Sequence, residues 1–150
     1  MSLVLVVDDQ ADLRELLRRW ISAAGHEVME ADNAAAALAA FVRRPADVVF
    51  CDVQMPGGHD GLWLTGELRR RYPMAAVVLA TGVSTVPPVV SLRAGVLAYL
   101  IKPFDRVRLI AALDAAVKWH EDAKAAGPLP EDGGDRLSAW LKSLDAGLAP

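Results

Sequence analysis

Leu3-Val4-Leu5-Val6-Val7-Asp8-Asp9 is a short aliphatic run closed by two carboxylates. A run this brief, apolar and rich in Val and Leu predicts a parallel strand buried on both faces. Three later stretches are built the same way. Asp47-Val48-Val49-Phe50-Cys51 ends in Asp52, Ala76-Val77-Val78-Leu79-Ala80 ends in Thr81, and Ala98-Tyr99-Leu100-Ile101 ends in Lys102-Pro103. In an open α/β sheet, ligands bind beyond the carboxyl ends of the strands. The three carboxylates, the hydroxyl and the ammonium are therefore predicted to meet at one edge. Such a set suits the joint holding of a divalent cation and a phosphoryl group.

Between these runs the apolar period changes to that of a helix. Leu13, Leu16, Leu17, Trp20, Ile21 and Ala24 mark one helical face, with Gly25 placed to end it. A short strand, Glu27 to Ala31, follows. Asn33 is suited to cap an alanine-rich helix running through Val42, which must stop before Pro45. After Asp52, Pro56-Gly57-Gly58 is turn chemistry. A helix is predicted from about Gly61 to Arg71, with Leu62, Leu64 and Leu68 for packing and Tyr72-Pro73 as its stop. Pro87-Pro88 fits only a helix start, so a short helix from about Pro87 to Ala94 is expected, ended by Gly95. The last core helix is expected from about Asp105 to Lys124, with Leu109, Ile110, Leu113, Ala116 and Val117 inward. Strands alternating with helices in this way predict βα units and a parallel sheet.

Composition excludes several classes. The 150 residues suit one domain with a small appendage. A net charge of −3 with no basic block argues against direct nucleic-acid binding. A single cysteine, Cys51, rules out a disulfide framework and favours a reducing cytoplasm. No apolar run approaches the roughly 18 residues of a membrane span, so no membrane partner is expected. The expected layout is a core domain over 1–124, a Gly/Pro-rich linker over 125–135, and a short amphipathic helix over 136–150 marked by Leu137, Trp140, Leu141, Leu144 and Leu148.

Together, Val7-Asp8-Asp9, Asp52-Val53-Gln54-Met55-Pro56, Asp60-Gly61, Thr81-Gly82 and Lys102-Pro103-Phe104 resemble the receiver domain of bacterial two-component response regulators. Each motif is weak alone; in this order, each at its strand end, they are specific. The resemblance spans about Leu3 to Ala123. It implies a doubly wound, flavodoxin-like sheet of five parallel strands in the order 2-1-3-4-5, here with a C-terminal helical extension. It also implies a phosphorylation-dependent signalling switch rather than a turnover enzyme, one that catalyses only its own phosphoryl transfer and dephosphorylation.

The resemblance assigns roles residue by residue. Asp52 matches the phosphoacceptor, which must be ionised and exposed at a strand end. Asp9 matches the direct metal ligand, Asp8 its neighbour acting through water, and the Gln54 backbone carbonyl a third ligand position. The implied cofactor is Mg²⁺ or Mn²⁺, and clustered carboxylates favour a cation for their own reasons. Thr81, Gly82 and Lys102 match the phosphate-binding and switch positions, Tyr99 the aromatic switch, and Pro103 a cis peptide. The implied partners are a sensor histidine kinase or phosphotransfer protein and a downstream protein or output domain, with homodimerisation left open.

Two features depart from the pattern. Gly57-Gly58-His59 is one residue longer than the usual spacing and should loosen the loop beside Asp52. Pro87-Pro88 should stiffen an element that normally moves. His59 reads more simply as a solvated loop residue than as a catalyst, Cys51 as a core residue facing away from Asp52, and His26 and His120 as isolated. Two other readings compete. One is a receiver-like interaction module not regulated by phosphorylation. The other is a Mg²⁺-dependent phosphohydrolase, which usually carries Asp-x-Asp after the first strand where this chain has Asp8-Asp9.

Overall fold

The computed structural model describes residues 1–55, 57–82 and 96–126. Its elements in chain order are β1 (Leu3–Val7), α1 (Ala11–Ala23), β2 (Glu27–Ala31), α2 (Ala34–Arg43), β3 (Val48–Asp52), α3 (Gly61–Arg71), β4 (Ala76–Thr81), β5 (Ala98–Ile101) and a last helix, here α4 (Arg106–Ala126). The five strands are parallel and ordered β2-β1-β3-β4-β5, as expected. The expected Pro87–Ala94 helix, the linker beyond Ala126 and the Leu137–Leu148 stripe lie outside the described residues, as does Pro56.

The period of two along each strand divides the core between the two faces of the sheet. Val4, Val6, Phe50 and Val78 pack with Leu17 and Ile21 of α1 and Leu109 and Leu113 of α4. Leu5, Val7, Val49, Cys51 and Leu79 pack with Phe41 of α2 and Leu64 and Leu68 of α3. Each such fully buried side chain contributes about 1.5–3 kcal/mol, so both faces are firmly covered. The α1 stripe is narrower than expected: Leu17 and Ile21 are buried, whereas Leu16 is exposed. Conversely, Trp119 of α4 is buried, with the Arg69 guanidinium 5.5 Å from the centre of its ring.

Local chemistry sets the helix ends. Asn33 Oδ1 accepts from the Ala36 N–H at 2.7 Å and caps α2, and Asp60 Oδ1 does the same for Trp63 at 2.9 Å in α3; each cap contributes about 1 kcal/mol. Gly25, at φ +95°, supplies the left-handed turn that follows α1. The last helix runs two residues past Lys124, to Ala126.

Candidate functional site

The register of the sheet decides which residues meet at its carboxyl edge. Asp52 and Thr81 are the last residues of β3 and β4, and Asp8 and Lys102 come directly after β1 and β5. Backbone bonding continues one step past these ends. Asp8 N–H donates to Ala31 O at 3.1 Å, Val53 N–H to Ala80 O at 2.9 Å and Lys102 N–H to Thr81 O at 2.7 Å. Side chains far apart in sequence are thereby held level with one another.

Lys102 closes the set. Its Nζ lies 2.9 Å from Asp8 Oδ2 and 3.3 Å from Asp52 Oδ2. The second oxygen of Asp8 accepts from the Gln10 N–H at 2.8 Å, and Asp52 Oδ1 accepts from the Gln54 N–H at 3.3 Å. Asp9 is exposed, yet one oxygen from each of Asp8, Asp9 and Asp52 falls within 4.8 Å of the others. An open cleft of about 480 Å³ runs past Asp9 and Asp52, lined also by Gln54, Met55, Gly82 and Lys102.

One expectation needs correction. Asp52 does not stand exposed at its strand end: it retains 7% of its surface. Burial is the main influence on its carboxyl and raises its pKa; Lys102 opposes this, while the Asp8 charge pushes further upward. For Lys102, burial disfavours the ammonium, but the hydrogen bond to Asp8 and the fields of Asp8 and Asp52 outweigh it and raise its pKa. The ammonium is thus firmly charged. Among the described residues, three carboxylates face one ammonium, an excess of two negative charges within the set, and the Arg14 guanidinium reaches it only at the Asp8 backbone oxygen, 2.7 Å away. One divalent cation would balance the excess, and oxygen-only donors beside an open, wettable cleft suit Mg²⁺ or Mn²⁺.

The remaining expected residues fall around this centre. Thr81 is buried and Gly82 lines the cleft. The Lys102–Pro103 peptide bond is cis. Tyr99 packs on the α2/α3 side of the sheet, and its hydroxyl is buried with no hydrogen-bond partner among the described residues. His59 stands outside the Asp52 cleft. It lines a neighbouring cleft with Asp9, Asp32 and Asn33, and its ring stacks on Trp63 at 3.8 Å. The lengthened loop bends through Gly57 and Gly58, both at positive φ (+99° and +84°), and His59 ties it to α3. Cys51 packs in the α2/α3-side core, where burial pushes its thiol pKa up and leaves it inert.

Two positions carry more than their sequence suggests. A Cβ on Gly61 would lie 2.4 Å from Asp52 O and 3.0 Å from Val53 Cα. The start of α3 therefore rests directly on the backbone that carries Asp52, and only glycine fits. The Asp60-Gly61 pair marks the position, but its reason is a contact that a single sequence does not display. At the opposite edge of the sheet, His120 lies 3.0 Å from Asp47 Oδ1 through Nε2 and 2.7 Å from Met74 O through Nδ1. Its isolation in sequence hid a bridge between three distant segments.

Comparison with known proteins agrees with this geometry. The family model for the response regulator receiver domain matches residues 4–114. The DNA-binding transcriptional regulator NtrC of Escherichia coli K12 is 34% identical over 122 residues, covering 81% of this chain and 26% of the relative. The chain thus spans about a quarter of that relative's length. Among solved structures, the receiver domain of NtrX from Brucella abortus is similar at 36% identity and a TM-score of 0.73, covering 77% of this chain and 98% of that one. Response regulator TrrA from Thermotoga maritima, solved in complex with Mg²⁺-BeF, is similar at 33% identity and a TM-score of 0.71, covering 77% and 99%. With its sheet order, its acidic strand ends and this match over most of its length, the chain belongs to the response regulator receiver domain family.

Proposed function

We propose that this receiver domain is a phosphorylation-dependent switch in which Asp52 accepts a phosphoryl group from a histidine of a sensor kinase or phosphotransfer protein. The observation that carries the reading is Lys102 bridging Asp8 and Asp52 inside an acidic set two charges short of balance. In the transfer, an Asp52 carboxylate oxygen forms a bond to phosphorus as the bond from phosphorus to the donor's ring nitrogen breaks, and the electron pair leaves on the imidazole. Such transfers depend on positioning and on neutralising charge at the phosphoryl oxygens. Lys102 is already held at Asp52 and supplies one fixed positive charge; the Thr81 hydroxyl and the backbone at Gly82 supply donors. Asp8 and Asp9, with Asp52 and the Gln54 carbonyl, would hold Mg²⁺ or Mn²⁺, which when bound neutralises the remaining negative charge. Loss of the phosphate to water, at a rate set beside Gln54 and the Gly57–His59 loop, resets the switch.

The buried Tyr99 hydroxyl, which has no partner among the described residues, supports a role in readout. A buried hydroxyl without a partner costs about 1–3 kcal/mol, so the ring has a standing reason to move once Thr81 is drawn toward a phosphoryl group. A downstream protein or an attached output domain would read the change. Among the described residues no helix is long and apolar enough to cross a membrane, and the one cysteine is buried and free; we place the protein in the cytoplasm.

The test is acetyl phosphate with Mg²⁺, followed by intact-mass measurement. The expected result is a single phosphoryl adduct, abolished in Asp52→Asn and by chelation of the metal. An adduct that survives Asp52→Asn, or none in the wild type, overturns the assignment.

A further inference from the structure

We propose that the groove between α2 and α3 is a docking site for an amphipathic helix whose apolar stripe is flanked by Asp and Glu. The starting point is α2 itself. From Ala34 to Val42 it contains no polar side chain. One face, with Ala34, Ala37 and Phe41, is buried against the sheet. A second stripe at i, i+3, i+4 and i+7 lines a groove of about 670 Å³: Ala35, Ala39 and Val42 are exposed, and Leu38 also packs partly on the core below. Helices apolar all round are normally covered on both sides, yet Val42 is 51% exposed. The other wall of the groove is Trp63 of α3, and its ring is braced by the stacked His59. A rigid aromatic beside small, smooth alanines is the lining that takes a helix in a groove.

Charge selects the occupant. The ionisable residues along the groove are Arg43, Arg71 and His59, and no carboxylate lines it. Arg43 has no ion-pair partner among the described residues, while Arg71 shares Glu67 with Arg70, at 3.3 Å for Arg71. A basic rim around an apolar floor fits carboxylates flanking a Leu or Ile stripe. A second copy docked face to face would set basic rim on basic rim, which argues against self-association here. Val42, Arg43 and Arg71 stand outside the Asp52 set, so changing them tests the docking separately from phosphorylation.

The experiment uses the full chain and a fluorescently labelled synthetic helix with Leu at i, i+3, i+4 and i+7 flanked by Glu. Anisotropy reports binding. The difference in tryptophan emission between the wild type and Trp63→Phe reports the place. The expected result is saturable binding, weakened at least tenfold in Val42→Asp and in Arg43→Glu/Arg71→Glu, with the double reversal gaining affinity for a Lys-flanked helix of the same stripe. These side chains are exposed, and circular dichroism together with unchanged labelling by acetyl phosphate confirms that the variants fold. Absence of binding, equal binding of the Glu- and Lys-flanked helices, or indifference to Val42→Asp overturns the proposal. So does binding that appears only after Leu137, Leu141 and Leu144 are changed to Ser, since that result assigns the groove to the chain's own C-terminal stripe.

Discussion

At each edge of this sheet a nitrogen base lies between oxygen acceptors, but the two arrangements are built to opposite ends. At the amino edge, Asp47 accepts from the Leu3 N–H at 2.9 Å with one oxygen and meets His120 Nε2 at 3.0 Å with the other. The second ring nitrogen of His120 faces Met74 O at 2.7 Å. Both ring nitrogens of His120 thus face oxygens of the chain, and the bridge ties α4 to the starts of β3 and β4. At the carboxyl edge, Lys102 serves Asp8 and Asp52 together while Asp9 stays exposed. The first arrangement is complete within the chain. The second is short of positive charge and has an open cleft in front of it. A fastening satisfies its own groups; a ligand site leaves a deficit for the ligand to fill.

The sharpest way to break this contrast is Lys102→Ala. Removing the ammonium leaves Asp8 and Asp52 facing each other in a largely buried setting. Stability in metal-free buffer should fall by roughly 3 kcal/mol, and labelling by acetyl phosphate should slow about 10²–10³-fold. Denaturant unfolding and timed intact-mass measurements check the two. Unchanged labelling would mean that Lys102 is only a fastening, like His120.

His120→Ala is the reciprocal case. Loss of its two contacts should lower stability by about 2 kcal/mol, read by thermal melting, while the labelling rate stays at the wild-type value. A slowed rate would show that the two edges are coupled through the strands.

Asp52→Asn sharpens the claim of a charge deficit. Burial raises the Asp52 pKa above that of the unfolded chain, so the folded state favours the neutral carboxyl. The stabilisation this brings is complete below the unfolded pKa and is lost as pH rises through the folded one. At neutral pH the neutral amide should therefore be the more stable without metal. Its advantage should shrink as pH falls, and Mg²⁺ should raise the melting temperature of the wild type more than that of the variant. A wild type more stable than Asp52→Asn in metal-free buffer at neutral pH would contradict the deficit.

The smallest expected effect is at Tyr99. Tyr99→Phe deletes the buried hydroxyl and should stabilise the domain by up to about 1 kcal/mol, measurable by denaturant midpoint at constant slope. Destabilisation would mean that the hydroxyl already has a partner in solution.

Much of this was legible in one chain. Short Val- and Leu-rich runs have few ways to be buried, and each ends abruptly in a polar residue, so the strands and the residues at their ends could be read directly. The Asn33 and Asp60 caps were local and equally readable. Errors arose where a neighbour distant in sequence decides. The phosphoacceptor role asks for an exposed Asp52, but Lys102 sits 3.3 Å from its carboxylate and Gly61 rests on its backbone. Leu16 fits the apolar period of α1 yet faces outward, because the sheet takes a narrower seam than the helix offers.

The sequence by itself determined the alternation of strand and helix, the parallel sheet and the placing of Asp8, Asp9, Asp52, Thr81 and Lys102 at or just past strand ends, because periodicity and strand ends are properties of neighbouring residues. Only the tertiary structure decided how those residues share charge, why position 61 admits glycine alone, and that His120 bridges Asp47 and Met74. The reason is physical. Local pattern governs which surfaces are apolar, whereas burial, electrostatic balance and close backbone approach depend on distances between segments that meet only in the folded chain.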